Sequence, residues 1–144
     1  MTRRHLLSSL RAPEVEAAIR QAEQSCAVEL RVSIAGLFWG SPENFARSAF
    51  ERLGMTATSR RNGLLVFIAP WHRKVVIHAD QGITSRVNAA LWSDAVATIT
   101  AAFRSGRFTE GLVEALQKLA AALAPHFPPV AGTANELPDT INRS

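Results

Sequence analysis

Cysteine is almost missing: Cys26 stands alone in 144 residues, which excludes an internal disulfide. It closes an amphipathic run, so the expected role is a small buried hydrophobe and not a nucleophile, and such usage fits a reducing compartment. Long apolar runs are missing too. No segment approaches the roughly 18 to 20 apolar residues of a membrane span. The N-terminal MTRRHLLSSLRAPE carries Arg3-Arg4, but no apolar run of about seven or more follows. Neither a secretory nor a twin-arginine export signal is complete, and a cytoplasmic location is expected. No internal repeat is present.

Familiar catalytic sets are also lacking. The chain has no Cys-X5-Arg loop, no Asp-X-Asp nucleophile motif, no Gly-rich phosphate loop with Lys-Ser/Thr and no paired His-Asp metal set. His5, His72, His78 and His126 fall on a terminus, a turn, a strand and a helix end, without a ligand spacing that would serve zinc. His78 reads as a satisfied sheet residue. Ser41 and the other serines have no nucleophile elbow around them. The formal charge of +4 is spread over Arg3-Arg4, Arg60-Arg61 and Arg73-Lys74, which read as solvated surface. No basic strip interleaved with aromatics occurs, and no nucleic-acid partner is expected.

What is there is a single-domain composition, 47% hydrophobic and 19% charged. A chain of this length should bury roughly two-thirds of its unfolded surface without disulfide or metal. Its organising stretch runs from Arg60 to Asp80. Leu64 to Ala69 is a continuous apolar run bounded by Asn62-Gly63 and Pro70, the pattern of a strand buried on both faces in the middle of a sheet. Trp71-His72-Arg73-Lys74 reads as a polar turn, and Val75 to Ala79 as the returning strand of an antiparallel hairpin. Pairing Ala69 with Val75 sets Leu64 opposite Asp80. Asp80 then shares one end of the sheet with Arg60, Arg61 and Asn62; we call this the Asp80 end.

Around the hairpin, periodicity predicts a helix from about Pro13 to Ser25 and a strand over Ala27 to Ala35, buried more on one face than the other. Gly36-Leu37-Phe38-Trp39-Gly40 is an apolar loop. Ser41 and Pro42 open a second helix that ends at Leu53-Gly54. Strand, helix and strand in that order predict parallel pairing. Ser85 to Arg104 reads as a helix broken near Trp92-Ser93 and closed by Gly106, and Thr109 as the N-cap of a last helix ending before Pro125. Four helices should cover a small mixed sheet. Residues 1–127 form the expected domain, and 128–144, rich in Pro, Thr, Asn and Gly, an expected loose tail.

Three motifs in this order, Arg61-Asn62-Gly63-Leu64-Leu65-Val66-Phe67-Ile68-Ala69-Pro70, Asp80-Gln81-Gly82-Ile83, and Phe103 to Leu112 with Gly106-Arg107-Phe108-Thr109-Glu110-Gly111, resemble the TPM domain family. The likeness runs from about Leu6 to Phe127, and Asn135-Glu136-Leu137-Pro138 is similar to the ending of a short bacterial branch. It implies a three-layer α/β/α sandwich with a mixed sheet between helices. It also implies divalent-cation binding by acidic residues and weak acid phosphatase activity, to which members of the family have been linked. Carried over by position, the cation set is Asp80 with Asn62 and Glu110, for Ca²⁺ or Mg²⁺. Arg60 stands where many members have Asp, so a cation replaces one oxygen ligand; the cofactor expectation is none, or a weak cation site.

Two functions are thus expected. In the first, the chain is a non-catalytic interaction or assembly module, with Phe38 and Trp39 facing a protein partner that the resemblance makes a membrane-tethered relative. Asn62-Gly63 is then a turn needing positive φ, and Asp80 a cap paired with Arg61. In the second, Arg60 and Arg61 bind phosphate and Asp80 is nucleophile or general base of a weak phosphatase.

Overall fold

The computed structural model describes residues 1–58, 60–129 and 141–143. The first helix, α1 (Arg3–Ser9), is capped by Thr2, whose hydroxyl accepts from His5 N–H at 3.0 Å. α2 (Ala12–Ser25) has Pro13 in its first turn and turns Val15, Ala18, Ile19 and Ala22 inward. The chain then enters β1 (Glu29–Ile34). Ser41 caps α3 (Pro42–Arg52) by accepting from Asn44 N–H, and a short 3₁₀ turn, Met55–Ala57, leads on to the central strand. β2 (Gly63–Ala69) is buried along its whole length, as its apolar run requires. β3 (Lys74–Ala79) returns antiparallel, and α4 (Gln81–Thr84), α5 (Ala90–Arg104) and α6 (Phe108–Leu123) follow.

The sheet order is β3-β2-β1-β4, with β1 and β2 parallel and a short β4 (Asn142–Arg143) beside Ser33 and Ile34. Leu30, Val32, Leu64, Val66 and Ile68 point into the larger core with α2, α5 and α6. Leu65, Phe67 and Ala69 point the other way, onto Ala46, Ala49 and Phe50 of α3 and onto Met55. The result is the expected three-layer mixed α/β architecture. Full burial of each such side chain contributes about 1.5 to 3 kcal/mol, so the two-sided strand β2 holds the layers together.

Several expectations need correction. The hairpin register is one residue tighter: Ala69 pairs with Lys74 and Leu64 with Ala79. The cause is the connection, a 3₁₀ turn over Pro70–His72 followed by Arg73 in the left-handed region at φ 50°, which shortens the reach between strands. Helices number six among the described residues. α1 supplies Leu6 to the core, and the stretch after Asp80 is divided into α4 and α5 near Asn88 with no break at Trp92-Ser93, because Trp92 is itself packed in the core. Thr109 is no N-cap: it lies in the first turn of α6, buried, and its hydroxyl accepts from Arg11 N–H at 3.0 Å. β1 is buried on both faces, because Arg31, 1% exposed, is ion-paired to Glu23 at 2.8 Å and Glu29 at 3.3 Å. The expected tail falls largely on residues 130–140, outside the described ones.

Candidate functional site

At the Asp80 end, β2 begins and β3 finishes. Asp80 N–H donates to Gly63 O at 2.9 Å, and the carboxylate is enclosed by donors. Arg61 grips it with two hydrogen bonds, Nε to Oδ2 at 2.8 Å and Nη2 to Oδ1 at 3.0 Å, while Gln81 N–H donates to Oδ1 at 2.7 Å as Asp80 caps α4. The partnership raises the Arg61 pKa, chiefly through that hydrogen bond. Asp80 is buried, so its charge is compensated where it sits. The residue that bends the chain here is Arg61, at φ 51°, and not the Asn62-Gly63 pair.

Gly63 is needed for space: a Cβ there would stand 3.0 Å from the Phe50 ring and 3.2 Å from Met55 O. Gly82 is needed more strictly, since a Cβ would come 2.4 Å from Arg61 O and 2.5 Å from Arg60 O. The turn before β2 therefore lies directly on α4. Asn62 Nδ2 donates to Ala27 O at 2.8 Å, tying β2 to the start of β1, while its buried Oδ1 has no partner among the described residues. Arg60 is exposed, and its side chain has no hydrogen bond or ion pair among the described residues.

Glu110 does not join this group. It sits in the first turn of α6, where its Oε1 accepts from Arg11 Nη2 at 2.9 Å and its pKa is lowered mainly by that bond. Past the far end of α6 is Phe127, whose carbonyl accepts from Ala27 N–H beside Asn62. A helix of 16 residues is about 24 Å long, and Glu110 stands at the start of α6 whereas Phe127, bonded to Ala27, follows its end. The donor set left for Ca²⁺ or Mg²⁺ is one carboxylate already held by Arg61 and one amide oxygen, with Arg60 close in the chain. A hard divalent cation wants several oxygen ligands, and these residues do not fit one. No cluster of three metal-ligating side chains occurs among the described residues.

His78, two residues before Asp80 on β3, is half-buried and packed edge-on to Phe50 at 4.8 Å. Burial first, then Arg47, lowers its pKa, against the smaller pulls of Asp80 and Glu51. It is a neutral sheet residue near neutral pH.

The opposite end of the sheet carries the apolar loop. Phe38 is 7% exposed, stacked between Phe45 at 4.0 Å and His72 at 4.2 Å, and so belongs to the smaller core. Trp39 is the reverse, 85% exposed, with Leu37 at 60%. Trp71 of the hairpin turn, next to the His72 that Phe38 stacks on, is 52% exposed. The expected interaction pair therefore divides: Trp39 faces out and Phe38 braces the loop. Sequence reasoning passed over Trp71, whose signal was a tryptophan in a turn otherwise made of polar residues.

These elements define a class, the three-layer α/β domain with a parallel pair extended by an antiparallel hairpin. A family model for the TPM domain matches residues 1–122, and the chain belongs to that family. It is similar to the BA42 protein of the psychrophilic bacterium Bizionia argentinensis, an NMR structure, at 33% identity over 94% of this chain and 95% of that one, with a TM-score of 0.85. The N-terminal domain of a P. gingivalis protein shares the fold at 22% identity, covering 82% of this chain and 76% of that one with a TM-score of 0.66. That of cg2496 from Corynebacterium glutamicum does so at 16% identity, with 86% and 74% covered and a TM-score of 0.59. No protein of curated function matches the chain.

Proposed function

We propose that this chain is a non-catalytic interaction module of the TPM family that docks a protein partner through the end of the sheet opposite Asp80. One observation carries the reading: Leu37 and Trp39 of the loop after β1 and Trp71 of the hairpin turn are exposed, and the two segments are joined by the stacking of Phe38 on His72. Exposed tryptophans are frequent anchors of protein interfaces, and a neighbouring aliphatic side chain enlarges the area that a partner can cover. The partner we propose is a membrane-tethered relative. In this reading the Asp80–Arg61 pair is a clasp that closes the sheet onto α4, with no cation in it.

The phosphatase alternative draws less support. Its nucleophile would be a carboxylate whose two oxygens already accept three hydrogen bonds, and the guanidinium meant for phosphate is spent on that same carboxylate. Arg60 alone stays open to an anion.

The experiment is co-purification of the tagged chain from cells of its own source, compared with a Trp39→Ser, Trp71→Ser variant. A partner recovered by the parent chain should fall more than about tenfold, the loss expected when one anchoring tryptophan is removed. Equal recovery would place the interface elsewhere.

A further inference from the structure

A cavity of about 430 Å³ opens between β3 and α5 beside the hairpin turn. Ile68 of β2, Val75 of β3 and Phe103 of α5 give it an apolar wall, its charged side chains are Arg73, Lys74 and Arg104, and Met1 with the N-terminal ammonium also lines it. No aspartate or glutamate lines it. Lys74 is compensated from outside, its Nζ 2.7 Å from Glu43 Oε1. Arg73 and Arg104 are not: both are exposed, and neither guanidinium has a hydrogen bond or ion pair with another described residue. Two like charges at one cavity repel each other, and an anion placed between them relieves that repulsion while its oxygens meet the planar donor forks that suit carboxylate and phosphate. The volume lies within the range of roughly 300 to 1,000 Å³ usual for ligand sites.

Charge at the mouth and an apolar wall behind it ask for two properties in one ligand. We propose that this cavity binds an anionic head group carried on an apolar chain, with Arg73 and Arg104 holding the head and Ile68, Val75 and Phe103 the chain. A fatty acid free in solution and an acidic bilayer lipid share this chemistry. The site shares the hairpin turn with Trp71, but neither Leu37, Trp39 nor Trp71 lines it.

The test uses the full chain, with backbone amide shifts of Val75, Thr100 and Phe103 as readout. Hexanoate, octanoate and decanoate are titrated below their micelle concentrations, against decanol and inorganic phosphate. Saturable binding is expected for the acids, tightening about fourfold per added methylene, the factor that burying a CH₂ corresponds to. Arg73→Gln with Arg104→Gln should weaken decanoate tenfold or more and leave decanol unaffected; both arginines are exposed, so the double variant keeps the fold. Trp39→Ser should leave decanoate affinity unchanged.

Co-sedimentation with phosphatidylglycerol vesicles but not phosphatidylcholine ones assigns the source to a bilayer lipid. Decanoate binding without vesicle binding assigns it to a free acid. Decanol binding as tightly as decanoate, phosphate binding as tightly as decanoate, or no saturable change with any acid and no vesicle binding would each overturn the proposal.

Discussion

Asp80 is both a helix cap and the partner of Arg61, and substitutions separate the two roles. Asp80→Asn keeps a good capping side chain and gives up the ion pair, whereas Asp80→Ala loses the cap as well and should cost about 1 kcal/mol more in urea unfolding. Neither should alter hydrolysis of a phosphate ester; activity in the parent that either change abolishes would restore the phosphatase reading. Gly82→Ala drives a methyl group into two backbone carbonyls, and about 3 kcal/mol should be lost, the upper part of the overpacking range. Cys26, buried with its Sγ 3.3 Å from Ala22 O, has a thiol pushed up to about 11 by burial, so alkylation at neutral pH should be slow until denaturant is added. His78 sets a pH dependence. Its folded pKa lies below the ordinary 6.5, so between the two values the unfolded chain binds the extra proton, and stability falls as pH drops from about 6.5. His78→Phe should flatten that part of a stability profile. At this scale the sequence was legible where pairing geometry forces a meeting, as for Asp80 with Arg61. It does not separate Phe38 from Trp39, expected as a pair, because adjacent aromatic residues in one loop do not declare which of them turns inward.

Among the elements, long runs with strong periodicity could be read directly. β2, α2, α3 and the body of α6 lie within a residue or two of their expected bounds, since each has an apolar pattern that only one period fits. α1 was missed because it has seven residues, opens with Arg3, Arg4 and His5, and is held by one cap and Leu6. The hairpin register slipped because Arg73, a residue without strong left-handed preference, supplies the positive φ that closes the turn. β1 was misread for a related reason: Glu29, Arg31 and Ser33 alternate with apolar residues as an exposed face would, but here the charges satisfy one another under cover. Arg31→Met should therefore cost about 3 kcal/mol or more by thermal or urea unfolding, because the Glu23 and Glu29 carboxylates stay behind in a poorly solvated place. At the α5–α6 crossing, a Cβ on Gly111 would lie 2.5 Å from that of Ala102, so the two helices approach as closely as their backbones allow. A larger side chain there would force α5 and α6 apart.

In the whole molecule the two ends of the sheet have diverged in character. One is closed by a compensated ion pair; the other presents tryptophan, leucine and arginines that no described residue compensates. Composition gave the charge total but not this separation, since Arg73 and Arg104 lie 31 positions apart and meet only through packing of α5 on β3.

The flank of β1 that faces away from β2 has a consequence of its own. Glu23 reaches over from α2 to accept from Leu30 N–H at 3.1 Å, and β4 lies along Ser33 and Ile34. A strand whose outer amides were left bare would be a template on which another chain could continue the sheet. Glu23 thus acts as a guard against self-templating, and a protein carrying Glu23→Ala and cut before Asn142 should accumulate as ordered multimers at concentrations where the parent chain remains dispersed.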